Sequence, residues 1–169
     1  MSPADTANGA SSIVLRINGE EMVVRAALHD TLLTVVRDQL QQTAAKRGCN
    51  QGVCGACTVE IDGRTARACL TLAHACVGAE IRTLEGVQDE PAVAALQDAF
   101  TAEQAFQCGF CTPGMLMSAR SLLEHNRCPD ESQIRTALSG NLCRCTGYVK
   151  IVAAVRSAAD ALRQEEAAS

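Results

Sequence analysis

The chain has 169 residues, room for one ordinary domain or two small ones, and two small units cannot each bury much apolar surface. A formal net charge of −4, dispersed Lys and Arg and an aromatic content of 2% leave neither a phosphate-binding face nor stacking platforms, so nucleic acid is not an expected partner. No stretch approaches the roughly 20 apolar residues of a membrane span, and residues 1–12 hold neither an apolar signal core nor a twin arginine. No membrane is therefore expected, and a cytoplasmic, reducing setting is, where ten cysteines point to metal binding rather than disulfides.

Residues 1–12 read as a flexible tail. Two β-prone runs, Ile13 to Ile17 and Met22 to Arg25, flank Asn18-Gly19, a strong hairpin signal. Asp30 or Thr31 caps an expected helix with Leu32, Leu33, Val35, Val36 and Leu40 on its apolar side. A second hairpin is expected about Asp62-Gly63, between the run Thr58 to Ile61 and the run Arg64 to Ala68, and Glu80 to Leu84 alternates like a further strand.

After Gly86 the apolar spacing turns helical. Pro91 opens one helix, with Val93, Leu96, Ala99 and Phe100 on a face; Thr112-Pro113 opens a second, which ends near Asn126. Asp130 caps a third, carrying Ile134 and Leu138 and stopped at Gly140, and a fourth runs from Val149 to about Leu162. The expected fold class is α+β: a sheet domain over residues 13–86, a helical domain over 87–163, and a short tail over 164–169.

Eight cysteines form two quartets. Cys49, Cys54, Cys57 and Cys69 leave four, two and eleven residues between successive members, the C-x4-C-x2-C run with a distant fourth thiol used for plant-type [2Fe–2S] clusters. Gly48, Gly52 and Gly55 allow the backbone to approach and turn its N–H groups toward an anionic cluster. Zinc sites pair C-x2-C with a second close pair, so this spacing disfavours zinc. Cys108, Cys111, Cys143 and Cys145 read C-x2-C, then thirty-one residues, then C-x-C, a pattern that zinc also accepts. Their placement before two helix starts, whose dipoles favour an anion, supports a cluster. Arg144 lies between two of these thiols, as an added positive charge or a solvated arginine.

Cys76, in an apolar run, reads as a buried small residue, and Cys128 beside Pro129 as an exposed bystander thiol. The three histidines have no ligand spacing, and no nucleophile–base pair, Walker motif or dinucleotide fingerprint is present. No catalytic residue is expected on this chain. Cluster binding is expected to help hold it folded.

Three motifs together resemble one family. Gly48-Cys49 through Gly52-Val53-Cys54-Gly55-Ala56-Cys57-Thr58-Val59, Gln107-Cys108-Gly109-Phe110-Cys111-Thr112-Pro113-Gly114-Met115 and Gly140-Asn141-Leu142-Cys143-Arg144-Cys145-Thr146-Gly147-Tyr148 are similar to the iron–sulfur subunit of the xanthine oxidase family of molybdenum hydroxylases. The resemblance covers about residues 13–158. It implies a β-grasp ferredoxin-like domain followed by a four-helix domain. It implies a large molybdopterin subunit, with the pterin as its cytosine dinucleotide, and a medium FAD subunit, in a heterotrimer or a dimer of heterotrimers.

Carried over, Cys49, Cys54, Cys57 and Cys69 hold the cluster facing the flavin, and Cys108, Cys111, Cys143 and Cys145 the one facing molybdenum. Gln107 and Cys145 then approach the pterin, for which an amide offers two donors and an acceptor. The large subunit hydroxylates an N-heteroaromatic, aldehyde or related carbon with oxygen from water, and electrons leave through both clusters to FAD. Two other readings stay open: a free-standing carrier with two clusters, and the small subunit of a carbon monoxide dehydrogenase or aromatic-thioester reductase of the same family.

Overall fold

A computed structural model describes residues 9–168. Two hairpins build the sheet. Ser11–Ile17 (β1) pairs antiparallel with Glu20–Ala26 (β2), and Thr58–Ile61 (β3) with Arg64–Arg67 (β4). At both turns the Asx-Gly pair takes the left-handed backbone a tight hairpin needs: φ is 55° at Asn18, 83° at Gly19, 48° at Asp62 and 76° at Gly63. Glu80–Arg82 (β5) joins the hairpins, parallel to β1 and antiparallel to β3, so the mixed sheet runs β2-β1-β5-β3-β4.

One face of this sheet buries Leu15, Ile17, Val24, Val59 and Ile81 against Leu32, Leu33, Val35 and Val36. Leu32 and Leu33 belong to Leu32–Thr34 (α1), which widens at once into a π-helical turn, Val35–Gln39, that carries Val35 and Val36. Thr31 is the cap, its hydroxyl accepting from the Thr34 amide; Asp30 instead accepts from Ala27. The long regular helix expected here is replaced because Gln39 pairs its side-chain amide with both main-chain groups of Arg25 on the edge strand β2.

The chain then turns helical: Leu84–Val87 (α2), Pro91–Ala102 (α3), Thr112–His125 (α4), Glu131–Leu138 (α5) and Val149–Ala168 (α6). Proline opens α3 and α4, and a capping box between Asp130 and Gln133 opens α5. Leu96, Phe100, Met115, Leu123, Ile134, Leu138, Ile151, Val155 and Leu162 fill a second core separate from that of the sheet. The architecture is thus α+β, with a five-stranded sheet and a set of helices. Two expectations at the ends change. Ser11 and Ser12 belong to β1, while residues 1–8 of the expected tail lie outside the described residues. The segment 164–168, expected as a tail, continues α6, since Gln164, Glu165, Glu166, Ala167 and Ala168 are good helix formers; Ser169 lies outside. Among the described residues no helix is long and apolar enough to cross a membrane.

The two cores meet through polar side chains. Arg120 of α4, with a side chain only 2% exposed, bonds Glu60 of β3 at 2.5 Å, Glu90 at 2.6 Å and Glu124 at 2.7 Å. A second seam runs between the loop before β3 and the loop after α5, where the cysteines lie.

Candidate metal centres

The first four thiols sit on the loop between the π-helical turn and β3 and at the end of β4. Cys57 and Cys69 are buried, Cys49 and Cys54 partly so. Glycine is needed here on steric grounds: a Cβ at Gly48 would lie 2.9 Å from the Cys54 thiol, and Gly52 and Gly55 take φ of 79° and 72°. The amides of Gln51 and Cys54 point at the Cys49 sulfur, at 3.5 and 3.3 Å, and pull that thiol down to about 6. Burial pushes Cys57 up to about 11, against the Cys69 amide, which lowers it.

The other four thiols lie in two loops brought together by α4 and α6. Cys111 is the cap residue of α4, and Cys145 lies four residues before α6. The Cys108 and Cys145 sulfurs are 3.7 Å apart. Burial and the adjacent Cys143 thiol push Cys111 up to about 12. Burial acts in the same sense on Cys143, but the hydroxyl and amide of Thr146 reverse it and leave this thiol lowered. Thr112, next to Cys111, keeps a buried hydroxyl with no partner in the protein, a donor left for an anionic group.

The Cys108 and Cys145 sulfurs stand together, and Cys49, Cys57 and Cys111 lie near enough to Cys54, Cys69 and Cys143 for those neighbours to shift their titration. A single tetrahedral ion asks for four ligands about one point. Among the described residues no three His, Cys, Asp or Glu side chains gather in that way. Four thiols gathered in each place would hold a two-iron unit, and the glycine cradle and the aimed donors would suit its negative charge. The residues therefore fit [2Fe–2S] clusters.

Gln107 is exposed, and its Nε2 donates to the Cys145 carbonyl at 3.0 Å. That leaves the second N–H and Oε1 for another group. Gln107, Phe106, Thr146, Val149 and Lys150 border an open hollow of about 490 Å³. Arg144 is exposed, Cys76 buried and Cys128 exposed.

Sequence reasoning gave no role to the residues that join the two loops. Asn141, 2% exposed, donates to the Gly55 carbonyl at 3.1 Å and to Thr58 Oγ1 at 3.2 Å. Arg67 bonds Thr58 Oγ1 at 2.6 Å and the Gly140 carbonyl at 2.7 Å. Tyr148, at φ 70°, receives the Cys143 amide on its hydroxyl and donates that hydroxyl to the Asn141 carbonyl. Finally the Leu142 amide donates to the Cys54 carbonyl at 2.8 Å, so one hydrogen bond links a first-site cysteine to the residue before a second-site cysteine. For Asn141, Leu142, Thr58 and Tyr148 the sequence signal was their place in the cysteine motifs, and Arg67 had none.

Residues 15–98 match a 2Fe-2S iron-sulfur cluster binding domain, and residues 83–156 a [2Fe-2S] binding domain. The chain is 49% identical over 146 residues to the nicotine 6-hydroxylase small subunit of Paenarthrobacter nicotinovorans, covering 86% of this chain and 88% of that one. It belongs to the iron–sulfur subunits of the xanthine oxidase family of molybdenum hydroxylases. The nicotinate dehydrogenase small FeS subunit of Eubacterium barkeri is 44% identical, covering 88% of this chain and 95% of that one. Quinoline 2-oxidoreductase from Pseudomonas putida 86 superposes with a TM-score of 0.86 at 44% identity, over 94% of this chain and 99% of the matched chain. In the aldehyde oxidoreductase of Desulfovibrio desulfuricans the match, at a TM-score of 0.85, spans 92% of this chain and 17% of a much longer one. The chain is accordingly an iron–sulfur subunit of an oxidoreductase.

Proposed function

We propose that this chain carries electrons through two [2Fe–2S] clusters, from a molybdopterin centre in a large subunit to FAD in a medium subunit, while an N-heteroaromatic substrate is hydroxylated. Cys49, Cys54, Cys57 and Cys69 hold one cluster; Cys108, Cys111, Cys143 and Cys145 hold the other. The observation that carries this is the gathering of eight thiols at two neighbouring places in the fold, joined by the hydrogen bond from the Leu142 amide to the Cys54 carbonyl. Bound there, the clusters take up and release one electron at a time. The protein orients them, shields Cys57 and Cys69 from water, and supplies the amides and hydroxyls that tune their sulfurs.

Gln107 fits the role of a pterin contact, since its amide is anchored on Cys145 and keeps a donor and an acceptor for the ring edge. The relatives named for nicotine, nicotinate, caffeine and quinoline favour an N-heteroaromatic over an aldehyde substrate. In hydroxylation a C–H bond of the substrate is replaced by C–OH with oxygen from water, and two electrons and two protons are released, one proton from the carbon and one from the water. We assign the sheet, residues 13–86, to a β-grasp ferredoxin-like domain and the helices from 87 onward to a four-helix domain, supported by their separate cores. A heterotrimer, or a dimer of heterotrimers, in the cytoplasm completes the reading.

Metal and flavin analysis of the complex that co-purifies with this chain tests it. About four irons per copy, with molybdenum and FAD in the same complex, is the expected result. Iron without molybdenum or FAD would leave a free-standing carrier in its place.

A further inference from the structure

Asn141 has more to do than fill space between the two cores. Both ends of its carboxamide are engaged: Nδ2 donates to the Gly55 carbonyl and to Thr58 Oγ1, and Oδ1 receives the Ser118 hydroxyl at 2.8 Å. The partners come from two places in the chain, the first cysteine loop and α4. Gly55 follows Cys54, Thr58 follows Cys57, and Ser118 lies on α4, which begins from Cys111. The main chain of Asn141 is held as well, its amide by Leu138 and its carbonyl by the Tyr148 hydroxyl, which also takes the Cys143 amide.

The fit leaves no slack. A Cβ at Gly55 would come within 2.8 Å of the Asn141 Cα and collide with the Gly140 carbonyl, and one at Gly114 would collide with the Gly55 carbonyl. An apolar side chain of similar size would bury the same area without directional bonds, and area alone does not set register. What the amide adds is a defined position for the next residue, Leu142, whose N–H meets the Cys54 carbonyl.

We infer that Asn141 is a positioning residue for electron transfer between the two clusters, holding the Cys54 and Cys143 loops at the separation that transfer needs. The inference rests on the two-cluster reading above.

The test uses the assembled holoenzyme, with Asn141→Ala, Asn141→Asp and Ser118→Ala prepared beside wild type. Iron content, the midpoint potential of each cluster, the magnetic interaction between the two reduced clusters and the rate of transfer between them are measured. Asn141→Ala is expected to keep its iron, weaken the magnetic interaction and slow transfer by clearly more than twofold. Asn141→Asp sets a carboxylate oxygen against the Gly55 carbonyl and should do the same, and Ser118→Ala should fall between. If Asn141→Ala does not load its clusters, Asn141→Asp and Ser118→Ala decide. Transfer within twofold of wild type in the loaded variants, even with a lower melting temperature, overturns the inference and leaves Asn141 a structural residue. A wild-type complex that lacks one of the two clusters overturns the underlying reading instead.

Discussion

Replacing Arg120 by Met tests how the sheet and the helices are held together. The guanidinium is buried and bonds three carboxylates, of which Glu60 is 7% exposed while Glu90 and Glu124 are 34% and 37% exposed. Glu90 and Glu124 keep solvent, so losing their partner costs little. Glu60 does not: Arg120→Met leaves its carboxylate buried without a cation, which costs about 3–5 kcal/mol. For a chain of this size each kcal/mol lowers the melting temperature by about 2–4 °C, so the expected fall is about 6–20 °C. Because cluster loss makes unfolding irreversible, wild type and variants are compared at one scan rate, following helical circular dichroism and cluster absorbance together. The double variant Arg120→Met with Glu60→Leu removes both partners and should regain most of the loss, since an apolar pair of similar volume is tolerated at such sites. A fall of less than about 2 °C in the single variant would mean that solvent reaches Glu60 and the reasoning fails. A double variant no better than the single would show that packing, not charge, was lost.

Cys57→Ser should abolish the first cluster and spare the second, because the helices around the second keep their own core; loss of both EPR signals would show that the two lobes fold as one unit. Gly114→Ala should cost about 1–3 kcal/mol by overpacking, because its methyl meets the Gly55 carbonyl, whereas Gly147→Ala, with open space around it, should cost only the strain of its φ of 65°, about 1–2 kcal/mol. Equal melting temperatures for wild type and Gly114→Ala would contradict the close approach of α4 to the first loop. Gln107→Ala should retain both clusters while slowing their reduction by substrate in the assembled complex, and unchanged reduction kinetics would remove Gln107 from the pterin site.

Features set by neighbours a few residues apart were legible in the chain alone. Asn18-Gly19 and Asp62-Gly63 dictated hairpins because few residues accept two successive positive φ values, and Pro91, Pro113 and the Asp130 box opened helices where expected. The cysteine spacings and their resemblance pointed to the family for a similar reason, since short loops around a cluster leave little freedom of sequence. Tertiary structure decided the rest. Val35–Gln39 departs from regular helix because Gln39 is drawn to Arg25 on β2, which no local signal encodes. Cys108 meets Cys145, Arg120 meets Glu60, and Asn141 meets Gly55 across 37, 60 and 86 positions of chain. Such pairings depend on how the sheet and the helices dock, and a polar side chain reveals its purpose only when the carbonyl it satisfies has been brought to it.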